Sequence, residues 1–167
     1  MANMTEPREL FMHELADIFY AENQLVKALP KLIEEASDDR LCTDLKGHLE
    51  QTKGHVDRLK KVFEALDEPA KGEKCPGIDG IITEHDEFMS KEDPSSEVCD
   101  LFLTGAGARA EHYEIAAYSG LVTMANALDE ARCAELFQQN LDEEKSALAK
   151  LEAAAKRLSK AGAKATA

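Results

Sequence analysis

The chain has 167 residues, of which 44% are hydrophobic and 32% charged, and its formal net charge is −13. This length predicts a single domain over residues 1–167. The acidity argues against a nucleic-acid partner, because phosphate binding needs clustered Lys and Arg. No apolar run approaches the ~18 residues that a membrane span requires, so we also expect no membrane association.

Helix-forming residues dominate the chain, with Ala, Leu, Glu and Lys the most prominent. Residues typical of strands are scarce and do not alternate over a useful length. The sequence therefore predicts an all-α fold. The periodic segments, separated by turn signals such as SDD, DEPAKGEKCPG and DPSSE, predict helices over about 6–36, 39–66, 96–128 and 129–158, and a short helix over about 78–90.

The lengths of the connections predict how these helices are arranged. The first two long helices and the last two are joined by short links, which favour antiparallel hairpins. The link between the hairpins is long enough to cross the length of a bundle. We therefore predict a four-helix bundle with one long crossover that carries a short extra helix, the arrangement of ferritin-like folds.

The four cysteines are far apart in sequence and form no CxxC pair. With no sign of secretion, they are interpreted as reduced thiols of a cytoplasmic protein. A zinc site that uses Cys75 and His85 is a remote alternative, because it lacks two further ligands at suitable spacing.

Several polar residues fall on the core-facing stripes of the long helices when each residue is advanced by about 100°. They are Glu22 in the first helix, His48 and His55 in the second, Glu111 and Glu114 in the third, and Glu144 in the fourth. Glu14 lies within or close to the first stripe and Asp17 on its border. Glu143 is expected to point away from the core.

Distances from the predicted turns place most of these residues at one level. Glu22 and His55 are each about 16–17 residues from a turn near Asp38, and Glu114 and Glu144 are each about 15 residues from a turn near Asp129. Glu111 lies one helical turn farther along. His48 is expected about 10 Å away along the bundle axis, in another layer.

Carboxylates that meet in a core repel one another, by about 4 kcal/mol for two charges 4 Å apart at an effective dielectric of 20. Bound cations or protons must offset this repulsion. A set of carboxylates with imidazole suits iron or manganese, so we predict a metal site with Glu22, His55, Glu111, Glu114 and Glu144, and with Asp17, Glu14 and His48 as weaker candidates. The alternative is a metal-free network with Lys145, Tyr118 and shared protons.

Three stretches, DIFYAENQL (17–25), HLEQTKGHVDRLKKVF (48–63) and EHYEIAAY (111–118), resemble the YciE/YciF stress-protein family. That family is a branch of the ferritin-like superfamily related to rubrerythrins. The resemblance implies a homodimer with possible di-iron binding in a bacterial stress response. It matches Glu22 to the first-helix carboxylate, Glu111 and Glu114 to the paired acids of the third helix, and Glu144 to the fourth-helix acid.

Two departures from the ferritin-like pattern concern the Glu-x-x-His motifs of the second and fourth helices. Thr52 stands where the second-helix acid is expected, and Ala147 where the fourth-helix imidazole is expected. Metal binding, with chemistry of the oxidase or peroxidase type, is therefore one hypothesis. The other is a non-enzymatic helical dimer that has a decayed metal site and acts through a protein partner.

Overall fold

A computed structural model describes the backbone of residues 4–165 and the side chains of residues 4–161. Within these residues the chain forms five helices and no strand: α1 (Pro7–Glu35), α2 (Asp39–Ala65), α3 (Pro76–Glu92), α4 (Ser96–Ala127) and α5 (Ala131–Ala165). The predicted all-α fold is confirmed. None of the described helices is long and apolar enough to cross a membrane.

The four long helices form a bundle of two hairpins. The α1 helix packs against α2 and α4 against α5, while α2–α5 and α1–α4 contacts close the ring. The α3 helix belongs to the connection between the hairpins and lies against α4 and α1. The predicted bundle with one crossover and a short extra helix is therefore confirmed.

Local signals fix where several helices begin. At α1, the Glu6 backbone N–H donates to the Glu9 carboxylate (2.8 Å), and Pro7 occupies the first turn. At α2, the Asp38 side chain accepts from the Leu41 backbone N–H (2.8 Å) and also binds the Arg157 guanidinium (2.6 and 2.8 Å). The Asp38 side chain thus caps α2 and ties it to α5.

Two helices are longer than the sequence predicts. The α3 helix begins at Pro76, because Pro76 suits the first turn and the Cys75 thiol accepts from the Ile78 backbone N–H. The α5 helix continues to Ala165, beyond the predicted end near residue 158. Its Ala- and Lys-rich sequence contains no Pro that would stop it earlier.

The apolar core consists of two clusters at opposite ends of the bundle. The larger one surrounds Phe11, Leu15, Tyr118 and Phe137 and lies toward the α4–α5 turn. The smaller one lies toward the α1–α2 turn and contains Leu29, Leu41, Leu45, Cys99, Leu103, Leu151 and Ala154. The polar residues predicted to face inward lie in sequence between members of these two clusters, namely Glu22, His48, His55, Glu111, Glu114 and Glu144.

Candidate metal centre

A buried polar layer separates the two apolar clusters and contains four carboxylates and two imidazoles. Each of its six residues is at most 8% exposed. We call this layer the carboxylate cluster; its members are Glu22, His48, His55, Glu111, Glu114 and Glu144. The structure thus brings together the five residues that the sequence predicts as ligands and adds His48 to them.

Five of the six members, all except Glu114, supply ligand atoms to two groups of three, in each of which the atoms lie within 4.8 Å of one another. In one group, His55 Nδ1 lies 2.8 Å from Glu144 Oε1 and 3.2 Å from Glu22 Oε1. In the other, His48 Nε2 lies 3.1 Å from Glu111 Oε1 and 3.9 Å from Glu144 Oε2. Glu144 belongs to both groups and directs one oxygen to each imidazole.

The expectation that His48 lies in another layer is wrong. In α2, His48 lies closer than His55 to the α1–α2 turn. In α4, Glu111 lies closer than Glu114 to the same end of the bundle, where Ser37 contacts Asp100. Side-chain length covers the remaining axial separation, so His48 and Glu111 meet. Counting Cα heights alone overlooks this reach.

Most side-chain nitrogen and oxygen atoms of the cluster lack a hydrogen-bond partner. Nine buried side-chain nitrogen or oxygen atoms without a partner occur in the described residues, and all but Gln51 Oε1 belong to the cluster. They include both oxygens of Glu114 and both oxygens of Glu144. The short contact between His55 Nδ1 and Glu144 does not have the angle of a hydrogen bond. Buried polar groups normally have hydrogen-bond partners, so this concentration of unpartnered atoms indicates a binding site.

The charges of the cluster shift the pKa of its members. Burial, together with the charges of Glu144, Glu22 and Glu111, raises the pKa of Glu114 well above its usual value. Burial also raises the pKa of Glu144 to about 8, although contact with His55 limits this rise. Burial lowers the pKa of His55, but the carboxylates of Glu22 and Glu144 outweigh this effect and raise it to about 10. Without another cation, the cluster therefore retains protons at neutral pH.

A polar network borders the cluster on the α2–α5 side. Glu143 contacts His55 Nε2 at 2.9 Å and pairs with Arg58. Arg58 also donates to Asn140, which donates to the Tyr118 hydroxyl (2.9 Å), and that hydroxyl donates to Glu22. We call these four residues the polar network: Arg58, Tyr118, Asn140 and Glu143. Carboxylate contacts of this kind fix the orientation of a ligating imidazole.

Sequence reasoning missed most of this network. Glu143 is expected to point outward, and its side chain is indeed 33% exposed, yet its carboxylate reaches His55. Arg58 follows His55 by three residues and therefore lies on the same face of α2. This spacing is the sequence feature that could have identified Arg58. Lys145, by contrast, is exposed, so the predicted cation of a metal-free network is not at the cluster.

The weaker candidates on α1 lie outside the cluster. Asp17 accepts a hydrogen bond from the Tyr113 hydroxyl (2.6 Å), and that hydroxyl also contacts the Cys75 thiol (2.8 Å). Glu14 is half-buried and joins neither group of ligand atoms. The zinc alternative also lacks support, because His85 contacts Glu35 and Asp86 rather than Cys75.

The departures at Thr52 and Ala147 change the origin of the donors but not their number. Thr52 is fully buried and donates to the His48 carbonyl (2.9 Å) instead of supplying a carboxylate. Both imidazoles come from α2, and α4 supplies two acids. The cluster therefore has four carboxylates and two imidazoles, the same donor types and numbers as the di-metal sites of ferritin-like bundles.

Comparison with known proteins gives concordant matches. Residues 6–164 match the family described as a domain of unknown function, DUF892. The protein YciF of Escherichia coli strain K12 is 37% identical over 150 residues, which are 89% of this chain and 90% of that protein.

Solved structures agree with this match. The crystal structure of the Escherichia coli stress protein YciF has a TM-score of 0.89 at 35% identity, covering 94% of this chain and 99% of that one. The Rhodopseudomonas palustris protein YcfI has a TM-score of 0.87 at 39% identity, covering 90% of this chain and 95% of that one. A Xanthomonas campestris protein shares the fold, with a TM-score of 0.74, at 17% identity and with 96% and 99% of the two chains covered. The chain therefore belongs to the DUF892 family of YciF-like proteins.

Proposed function

We propose that the carboxylate cluster binds one or two iron or manganese ions and that the protein acts in a bacterial stress response. Glu22, His55 and Glu144 would hold one ion, and His48, Glu111 and Glu144 the other. The observation that carries the proposal is the group of eight unpartnered atoms in a fully buried set of four acids and two imidazoles. The similarity to the Escherichia coli stress protein YciF supports the physiological part.

The donor set suits these metals. Carboxylate and imidazole ligands without thiolate favour iron and manganese over metals that prefer sulfur. The four cysteines are free thiols, and none belongs to either group of ligand atoms. The cluster therefore offers only hard and intermediate ligands.

The residues of the cluster and of the polar network have different roles in this proposal. Glu144 directs one oxygen to each imidazole and would serve as a ligand in both positions. Glu143 orients His55 through Nε2, which leaves Nδ1 to face the cluster. Glu114 belongs to neither group of ligand atoms, but it lies close enough to Glu144, Glu22 and Glu111 for their charges to raise its pKa, and it would release its proton when an ion binds. A bound iron pair would supply redox chemistry with oxygen or peroxide.

Metal titration of chelator-treated protein tests the proposal. We expect the wild type to take up one to two equivalents of Mn²⁺ or, without oxygen, Fe²⁺, measured by elemental analysis after desalting. Glu144→Gln should lose this uptake, because it removes a charged ligand from both groups. The matched control is Glu135→Gln, which lies on the same helix and contacts only Arg132 at the surface. Less than about 0.2 equivalents in the wild type would refute metal binding.

The second candidate function is a non-enzymatic helical dimer that acts through a protein partner. It is favoured by Thr52 and Ala147, which occupy positions where the ferritin-like pattern has metal ligands. It predicts that the wild type stays metal-free after incubation with Fe²⁺ and that Glu144→Gln stabilises the protein. The titration above therefore separates the two functions.

A further inference from the structure

A cavity of about 280 Å³ connects the carboxylate cluster with the surface between α1, α3 and α4. Its inner end is formed by His48, Glu111 and Glu114. Most of its walls are aliphatic, with Leu25 and Leu29 from α1, Ile81 and Ile82 from α3, and Ala106 and Ala110 from α4. Polar side chains also line it, namely Gln24, Lys27, Lys31, His85 and Asp86. The space is larger than the voids that are usual between packed side chains.

The crossover helix α3 forms the roof of this cavity. Three polar contacts join the roof to α1: Lys31 pairs with Asp86 at 2.7 Å, His85 Nε2 contacts Glu35 at 2.8 Å, and the Tyr20 hydroxyl donates to Asp79 at 3.0 Å. The small side chains of Ala106 and Ala110 on α4 leave the space that larger residues would fill. The cavity therefore depends on the position of α3 and on two alanines.

The inner end bears polar atoms that face no partner. His48 Nδ1, Glu111 Oε2 and both oxygens of Glu114 are buried without a hydrogen bond. A molecule in the cavity would thus have an apolar environment along its length and the carboxylate cluster at its tip. The acids at that tip oppose an anionic group at the inner end, whereas the lysines of the lining, Lys27 and Lys31, are exposed and lie away from the tip.

We infer that this cavity binds a slender, uncharged aliphatic molecule and directs one end of it to the carboxylate cluster. A cavity of about 150 Å³ accommodates the six carbons of benzene, so this one accommodates about ten carbons. Its role in presenting a substrate rests on the proposed metal function. The binding itself does not, because the apolar walls are complete without an ion.

Isothermal titration of chelator-treated protein with straight-chain alcohols tests the binding. We expect 1-octanol to bind one-to-one with a Kd on the order of 0.1 mM. Each added CH₂ from 1-hexanol to 1-decanol should tighten binding by about fourfold, and 1-dodecanol should bring no further gain. Octanoate should bind at least about tenfold more weakly than 1-octanol, because its charge must be desolvated near acids. Equal or tighter binding of octanoate would overturn the uncharged class.

Variants that fill the cavity locate the binding site. Ala106→Leu should weaken 1-octanol binding by about tenfold or more, and Ala28→Leu, on the opposite wall, provides a second test if the first variant misfolds. The matched control is Ala116→Leu, which is on α4 but exposed. Absence of saturable binding to the wild type, or undiminished binding to both filled variants, would overturn the inference.

A separate measurement tests whether the molecule reaches the cluster. In Mn²⁺-loaded protein, saturating 1-octanol should lower the water-proton relaxivity of the ion by displacing water from the inner end of the cavity. Unchanged relaxivity would overturn the assignment of the cavity as a route to the cluster. Failure of Mn²⁺ binding would instead refute the proposed function, while the alcohol titrations on metal-free protein would still decide whether the cavity binds aliphatic chains.

Discussion

The two sides of the carboxylate cluster differ in the contacts that they provide to its polar atoms. On the α2–α5 side, Glu143, Arg58 and Asn140 form a continuous series of contacts that ends on His55 and on Tyr118. On the side facing α1, α3 and α4, the cluster meets an apolar cavity, and Glu111 and Glu114 keep unpartnered oxygens. One side therefore fixes the cluster in place, and the other leaves it accessible.

The largest expected effect concerns the charge balance shared by both sides. In metal-free protein, Glu144 has a folded pKa of about 8, above its ordinary 4.5, and His55 one of about 10, above its ordinary 6.5. Raised folded values mean that stability is present at low pH and is lost as pH rises through these ranges. We therefore expect the Tm of the metal-free protein to fall between pH 5.5 and pH 8.5.

Metal should reverse this trend, because its ligands bind in deprotonated form. At pH 8.5, Mn²⁺ at about 100 times its Kd should stabilise by about 2.7 kcal/mol, equivalent to about 5–10 °C in Tm. At pH 5.5 the gain should be much smaller. Thermal melts with Mn²⁺ or chelator at both pH values measure this. A Tm gain that is equal at both pH values would contradict ligation by the cluster.

The fixed side is probed next by Glu143→Ala, which removes the carboxylate that orients His55. Loss of such a supporting contact typically weakens metal binding by about 10–100-fold. Titration of the variant with Mn²⁺ measures the change, and Asp142→Ala, at the exposed neighbouring position, is the control. Affinity within twofold of the wild type would show that Glu143 does not support the cluster.

The accessible side should respond to mutation in the opposite direction in metal-free protein. Glu114→Gln removes a buried carboxyl whose oxygens have no partner and whose ionisation the neighbouring acids oppose. We expect stabilisation on the order of 1 kcal/mol, or about 2–4 °C in Tm, at pH 8.5. With Mn²⁺ present, the variant should gain less than the wild type. A metal-free variant less stable than the wild type would indicate that Glu114 has a favourable contact.

The smallest effect is expected at the rim of the cavity. Asp86→Asn removes the charge that pairs with Lys31 and contacts His85, and the Asp86 and Lys31 side chains are about half exposed. Exposed pairs of this kind contribute about 0.2–1 kcal/mol, so the Tm should fall by at most about 4 °C. Asp57→Asn, which breaks an exposed pair with Lys60 on α2, is the matched control. A Tm loss above about 8 °C would mean that the roof contacts stabilise the whole bundle.

The fold was predictable because helical periodicity and turn signals act over short distances. The acids of the cluster were predictable for the same reason, since the angle and height of a helical residue follow from its number. The position of His48 was not, because it depends on side-chain reach between α2 and α4. The contact of Glu143 with His55 was also missed, because a long side chain can turn inward from the edge of a helix.

The cavity could not be predicted from the sequence at all. It depends on where α3 lies across α1 and α4, and that position follows from contacts between distant residues such as Lys31 and Asp86. Its aliphatic walls are, in sequence, indistinguishable from ordinary core positions. Periodicity places Leu25 and Leu29 on the core-facing stripe of the first helix but does not indicate that a cavity lies beside them.

The division of the apolar core into two clusters has a consequence for how the protein comes apart. While its charges are unbalanced, the carboxylate cluster between them stabilises the bundle little, so local stability is lowest in the middle of the bundle. Backbone amides near 48–55 and 140–147 would then exchange with solvent before those at either end, and the two ends would open as separate units. An ion bound between them would couple the two ends into one cooperative unit. Metal occupancy would then determine the cooperativity of unfolding as well as the stability of the bundle.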